Sequence, residues 1–187
     1  MVRLDAAIAE VSAFLESLGI AHMLIGGQAV IARGVPRATL DVDMTLWVEP
    51  DELATTVEAI TARFRSLTRS PQEFVIQTRV LPAQTSSGVR IDLVFASLPF
   101  ERQAIRRAVT EEIGGVPVPV IAAEDLIIQK LASERPKDLS DGRALLERHA
   151  ATLDDEYLVP QLRELAAALA RDDIQEALDE YWPEEQD

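Results

Sequence analysis

The sequence predicts an α/β (α+β) chain, with a small mixed sheet flanked by helices followed by an all-helical C-terminal region. Up to Ile121, short apolar or alternating runs of strand type are interleaved with segments of helical period. Beyond Ile121 every periodic stretch reads as helix. Of the 187 residues 48% are hydrophobic, enough to fill a core, and there is no cysteine to staple one. The boundaries this predicts are a core over 1–121 and a helical region over 122–187 packed on it.

The elements follow in order. Leu4, Ile8, Val11, Phe14, Leu15 and Leu18 recur at helical spacing, and Gly19 stops that helix. His22–Ile25 is a short apolar strand running into a Gly26-Gly27 turn, and Gln28–Arg33 is a short helix closed by Gly34. Residues 40–48 alternate: Leu40, Val42, Met44, Leu46 and Val48 face one way and Asp41, Asp43, Thr45 and Trp47 the other. Pro50-Asp51-Glu52 opens a helix with Leu53, Val57, Ile60 and Phe64 inward. Phe74–Leu81 and Val89–Phe95 read as a hairpin around Ser86-Ser87-Gly88, with Arg90 and Asp92 opposite the second strand's apolar face. A helix over Phe100–Val109 and a strand over Val116–Ile121 complete the mixed part. Helices follow over Glu124–Glu134, Asp138–His149, Asp154–Ala170 and Asp172–Trp182.

Composition excludes several chemistries. Without cysteine there is no disulfide, iron–sulfur site or cysteine nucleophile, and His22 and His149 are too few for a histidine-rich metal site. The formal net charge is −14, of which residues 151–187 contribute −10 from 12 acidic and 2 basic residues. That tail repels phosphate, so non-specific DNA binding is not expected; a solvated helical face accounts for it. With no apolar run near ~18 residues and no signal-peptide core at the start, a cytoplasmic protein without membrane contact is expected.

Three carboxylates stand out by strand period. Asp41 and Asp43 leave one face of a strand with roots ~7 Å apart, and Asp92 lies on the matching face of a second strand. Aspartate is depleted from strands, yet these interrupt two otherwise apolar ones. If the two strands pair in register, the cluster suits two Mg²⁺ ions ~3.5–4 Å apart, the arrangement of in-line phosphoryl displacement. A solvated sheet face is the alternative. Gly26 and Gly27, between strand and helix, permit close approach of backbone N–H groups to phosphate, or serve turn geometry alone. Arg37 and Thr39 offer a guanidinium and a hydroxyl to phosphate oxygens, or solvate the loop.

Gly26-Gly27-Gln28-Ala29, Arg37-Ala38-Thr39-Leu40-Asp41-Val42-Asp43 and Arg90-Ile91-Asp92-Leu93-Val94 together resemble the polymerase-β-type nucleotidyltransferase superfamily. Asp125–Leu131, followed by Arg135-Pro136-Lys137-Asp138-Leu139-Ser140-Asp141, is similar to its abortive-infection AbiE toxin branch; the likeness spans residues 20–145. The resemblance implies that Asp41 and Asp43 bind both Mg²⁺ ions and that Asp92 completes the site and helps deprotonate an acceptor hydroxyl. It further implies that Gly26 and Gly27 cradle a nucleoside triphosphate, that Lys130 faces the triphosphate, and that Asp138 sits near the acceptor. Gln28 departs from the Gly-Ser found in many members. The expected activity is transfer of a nucleoside monophosphate to an acceptor hydroxyl, on RNA or protein in preference to a small molecule, in the toxin of a toxin–antitoxin pair with a cognate antitoxin. The alternative is a catalytically inactive interaction module or antitoxin-like binder on the same fold.

Overall fold

The computed structural model describes residues 2–183, which divide into two compact units. Unit 1 comprises the chain up to Ala32 and Arg37–Ile121, and unit 2 comprises Arg33–Pro36 and the chain from Ala122 onward.

Unit 1 is built on one mixed sheet. Helix α1 (Val2–Ser17) ends where Gly19 takes a left-handed conformation, as its position past the last apolar residue predicts. Strand β1 (Ala21–Ile25) runs directly into helix α2 (Gly26–Ala32), and the glycine pair forms the first turn of that helix instead of a separate loop. Strand β2 (Asp41–Trp47) leads to helix α3 (Leu53–Arg63), the two-residue strand β3 (Arg65–Ser66), helix α4 (Pro71–Thr78) and strand β4 (Val80–Gln84). Strand β5 (Arg90–Phe95), helix α5 (Pro99–Arg107), strand β6 (Val109–Ile113) and strand β7 (Val116–Val120) complete the unit. Among the described residues the strand order is β3-β4-β5-β2-β1-β7-β6.

The central strand β2 pairs antiparallel with β1 and parallel with β5, and that parallel register sets Asp43 directly opposite Asp92 and Asp41 opposite Arg90. One face of β2, β4 and β5 is sealed: Val42, Met44, Leu46, Leu81, Ile91 and Leu93 have no solvent exposure. Burial on that face fixes the register, because a one-residue slip would turn every apolar side chain outward. The side chains of Asp41, Asp43 and Asp92 leave the opposite face half-buried. His22 ties β1 to α1. Its Nδ1–H donates to the Ile20 carbonyl at 2.8 Å, so Nε2 accepts from the Ser12 hydroxyl at 2.8 Å. Burial pushes its pKa below 6.5, so it is neutral at pH 7.

Four local expectations change. Residues 74–78 are helical: Pro71 at the first position starts α4, and Arg79 in the left-handed region ends it before β4 begins. The hairpin therefore joins β4 to β5, with Val80 opposite Val94 and Gln84 opposite Arg90. Strand β6 is additional; Val109-Thr110-Glu111-Glu112-Ile113 lacks an apolar face because it lies at the sheet edge and pairs with β7 alone. Leu40 is 87% exposed and precedes the strand instead of joining its core face.

Unit 2 is helical: α6 (Ala123–Ala132), α7 (Pro136–His149), α8 (Asp155–Leu169) and α9 (Asp172–Tyr181). Leu126, Ile127, Leu145, Leu146, Leu158, Leu162 and Ile174 are fully buried at the helical spacing the sequence shows. Gly142 lets α7 approach α6 closely, since a Cβ there would meet Leu131 Cδ2 at 2.9 Å. Residues 33–36 join this unit through the carbonyl of Arg33, which lies 2.8 Å from His149 Nε2. No helix among the described residues is long and apolar enough to cross a membrane.

Candidate active site

Strand geometry brings the three aspartates together. Asp41, Asp43 and Asp92 each offer a carboxylate oxygen, and these oxygens lie within 4.8 Å of one another. A hard divalent cation with bonds of ~2.0–2.1 Å spans ~4 Å between opposite ligands, so the set needs only small side-chain adjustment to close on one. All-oxygen, all-carboxylate donors suit Mg²⁺ or Mn²⁺ over softer metals.

Each carboxylate is held by its own device. The Thr39 hydroxyl donates to Asp41 Oδ1 at 2.5 Å. That bond above all holds the Asp41 carboxyl below its ordinary value; partial burial opposes it, and the charges of Arg37 and Arg90 add to it. Asp43 packs against bare backbone: Gly26 has φ +64°, and a Cβ there would lie 2.7 Å from Asp43 Cγ and 2.9 Å from Asp43 Cβ. Gly27 gives the same close approach to Thr39, whose Cβ would stand 2.8 Å from an added methyl. The glycine pair thus serves as the wall against which Asp43 and Thr39 sit. Asp92 is gripped by Arg90, whose Nε and Nη2 donate to Oδ2 and Oδ1, both at 3.1 Å. Arg37 is half-buried in the segment leading to Thr39.

The remaining sequence-derived residues lie in unit 2. Lys130 is buried, and its amine pairs with Asp138 Oδ1 at 2.6 Å and with Asp141 Oδ2 at 3.6 Å. Asp138 also accepts from Ser133 Oγ at 3.0 Å and from Arg135 Nε at 2.5 Å. Burial pushes the Asp138 pKa upward, but Lys130, Arg135 and Ser133 outweigh it and hold the carboxyl below its ordinary value. Spacing suggests a helix cap for Asp138 and Asp141; instead Arg135 occupies the cap position, and Asp138 lies inside the first turn of α7 with its carboxylate turned to cations. Nearby, the Tyr157 hydroxyl donates to the fully buried Asp125 at 2.5 Å.

Sequence reasoning overlooked Arg90 and Asp141 as members of these clusters. The signal for Arg90 is its two-residue offset from Asp92 on a strand, which puts both on one face. Nothing in the sequence signals that Thr39 turns its hydroxyl to Asp41.

The architecture recurs in solved nucleotidyltransferases. An antigenic nucleotidyltransferase-like protein from Paracoccidioides brasiliensis superposes with TM-score 0.57 at 18% identity, covering 94% of this chain and 92% of its own. ANT(2")-Ia, in complex with adenylyl-2"-tobramycin, gives TM-score 0.58 at 18% identity, covering 89% of this chain and 99% of its own. The lincosamide antibiotic adenylyltransferase LnuA, lincomycin-bound, gives 0.50 at 11%, covering 74% and 93%. At such identities the likeness is one of fold. No curated protein matches by sequence. With two adjacent strands carrying the acidic cluster beside a strand-to-helix glycine pair, this fold is that of the polymerase-β-type nucleotidyltransferases. Within that class, the family described as "Nucleotidyl transferase AbiEii toxin, Type IV TA system" matches residues 14–185, and the chain belongs to it. It is therefore a nucleotidyltransferase enzyme of a toxin family.

Proposed function

We propose that the protein is a cytoplasmic, Mg²⁺-dependent toxin that transfers a nucleoside monophosphate from a nucleoside triphosphate to an acceptor hydroxyl on RNA or protein. The observation that carries this reading is the convergence of three carboxylates from β2 and β5 within 4.8 Å. In the reaction a bond forms between the acceptor oxygen and the α-phosphorus, the bond to the β-phosphate oxygen breaks, and pyrophosphate leaves. Two Mg²⁺ ions, held by Asp41 and Asp43 with Asp92 completing one site, would neutralise triphosphate charge and make the acceptor hydroxyl more acidic.

The chain's own residues do the positioning. Asp92, steadied by Arg90, would take the hydroxyl proton. Thr39 orients Asp41 and holds its carboxyl below the ordinary value. Gly26 and Gly27 leave room for a phosphate to approach backbone N–H groups, and Arg37 adds positive charge beside Asp41. Such fixed charges and dipoles supply most of the rate in phosphoryl transfer. Lys130 and Asp138 are assigned to triphosphate and acceptor on family resemblance alone. A cognate antitoxin is the proposed partner, in keeping with the family's description.

The experiment is incubation of the purified chain with Mg²⁺, each of four α-labelled nucleoside triphosphates in turn, and a cell lysate as acceptor pool. Label should enter an RNA or protein band with one preferred base, and the double substitution Asp41→Asn, Asp43→Asn should abolish it. Undiminished labelling by the double variant overturns the reading.

A further inference from the structure

We propose that Arg90 is a positioning residue for nucleotidyl transfer, aiming the Asp92 carboxylate while setting how tightly the aspartate cluster holds divalent cations. This rests on the reading of Asp41, Asp43 and Asp92 as the metal-binding cluster. Arg90 and Asp92 are two apart on β5 and share its outward face, and the parallel register sets Arg90 opposite Asp41. The guanidinium bonds both Asp92 oxygens at 3.1 Å, a two-point fork that fixes the carboxylate plane.

The fork is poorly suited to a stabilising role. The Arg90 side chain is 56% exposed, and exposed ion pairs contribute little to folding. It is well suited to orientation: each carboxylate oxygen keeps a second lone pair free for a cation or for an acceptor proton. The same guanidinium places a fixed positive charge among three carboxylates, and its field reaches Asp41 and Asp43 as well as Asp92. Arg90 thereby has two opposed effects. It holds the reactive geometry, which speeds turnover, and it repels an incoming divalent ion, which weakens binding. Loss of a merely structural arginine would instead lower the melting temperature, and rate and metal binding would fall together.

The test uses the full-length chain with Arg90→Gln and Arg90→Lys. Mn²⁺ binding is titrated without nucleotide by electron paramagnetic resonance, and the initial rate of α-labelled nucleotide incorporation into a lysate is measured at saturating metal. Because Arg90 is exposed, both variants keep the parent's melting temperature to within about 2 °C. Arg90→Gln is expected to bind Mn²⁺ on the order of 3- to 10-fold more tightly, from loss of one positive charge beside the carboxylates that would hold a divalent ion. It is expected to turn over on the order of 10- to 100-fold more slowly, as when a group that orients a metal ligand is removed. Arg90→Lys keeps the charge, so its Mn²⁺ affinity stays near the parent's while part of the rate returns. Weaker or unchanged Mn²⁺ binding by Arg90→Gln, or an undiminished rate, overturns the assignment. A parent chain that neither binds Mn²⁺ nor incorporates label overturns the metal-cluster reading and this inference with it.

Discussion

Gly26 offers a test of how the site is assembled, because its backbone conformation and its contact with Asp43 can be separated. In Gly26→Ala the new methyl faces two penalties. The first is conformational: φ is +64°, a region costing a non-glycine residue ~1–2 kcal/mol. The second is steric. The methyl would lie 2.9 Å from Asp43 Cβ and 2.7 Å from its Cγ, so rotating the carboxylate cannot clear it and β2 itself must shift. Overpacking of this kind costs ~1–3 kcal/mol. Gly115 supplies the control: its φ is +83°, yet nothing lies within 4 Å of an added Cβ, so Gly115→Ala carries the conformational penalty alone.

Denaturant unfolding followed by circular dichroism should therefore rank Gly26→Ala ~1–3 kcal/mol below Gly115→Ala, a further fall of roughly 2–12 °C in melting temperature for a chain of this length. Repeating Gly26→Ala in an Asp43→Gly background should remove most of that excess, because the clashing Cβ and carboxylate are both gone. Mn²⁺ affinity should fall in Gly26→Ala but not in Gly115→Ala. If Gly26→Ala costs the same with and without the Asp43 side chain, the glycine does not serve as a wall for Asp43.

Three further expectations follow from the same geometry. His22 is held neutral by burial, so the unfolded chain binds the extra proton; the stability it lends is complete above pH ~6.5 and is lost as pH falls, by up to ~1.4 kcal/mol per pH unit. Urea midpoints between pH 5 and 7.5 should show this slope, and His22→Gln should flatten it. Asp138→Asn keeps an acceptor but leaves Asp141, at 3.6 Å, as the carboxylate facing the buried Lys130 amine, and should destabilise the helical unit by about 3 kcal/mol, read as a lower thermal midpoint. Thr39→Val should return the Asp41 carboxyl toward its ordinary range, so the acid limb of the pH–rate profile moves to higher pH while the melting temperature changes little.

What could be read from the sequence follows from what each pattern reports. Strand alternation in residues 40–48 and 89–95 reports which side chains share a face, so it isolates Asp41, Asp43 and Asp92 before any neighbour is known. It cannot report pairing, and the meeting of Asp43 with Asp92 depends on β5 lying parallel to β2 in that one register. Helical spacing after residue 122 is legible because each helix of unit 2 buries one leucine-rich face. Residues 74–78 mislead because Phe74-Val75-Ile76 has strand composition; the decision was made by Pro71 and Arg79 at the ends, which a reading of the middle overlooks. Strand β6 is hidden for the opposite reason: at the sheet edge it needs no apolar face, and its glutamates deter further pairing.

The order of residues around the site also has a physical logic. Three carboxylates within 4.8 Å repel one another, and left to themselves they would splay apart or take up protons. Here each is restrained by a group of different character: a hydroxyl for Asp41, packed backbone for Asp43, a guanidinium for Asp92. Only one of these three restraints carries charge, so the carboxylate oxygens stay available to hard cations. Neutralising all three with arginines would have filled the place that a cation and a triphosphate need. A site held by sterics and hydrogen bonds keeps its charge available for ligand, and that is why the glycine pair and Thr39, which perform no chemistry themselves, stand beside the aspartates in the sequence.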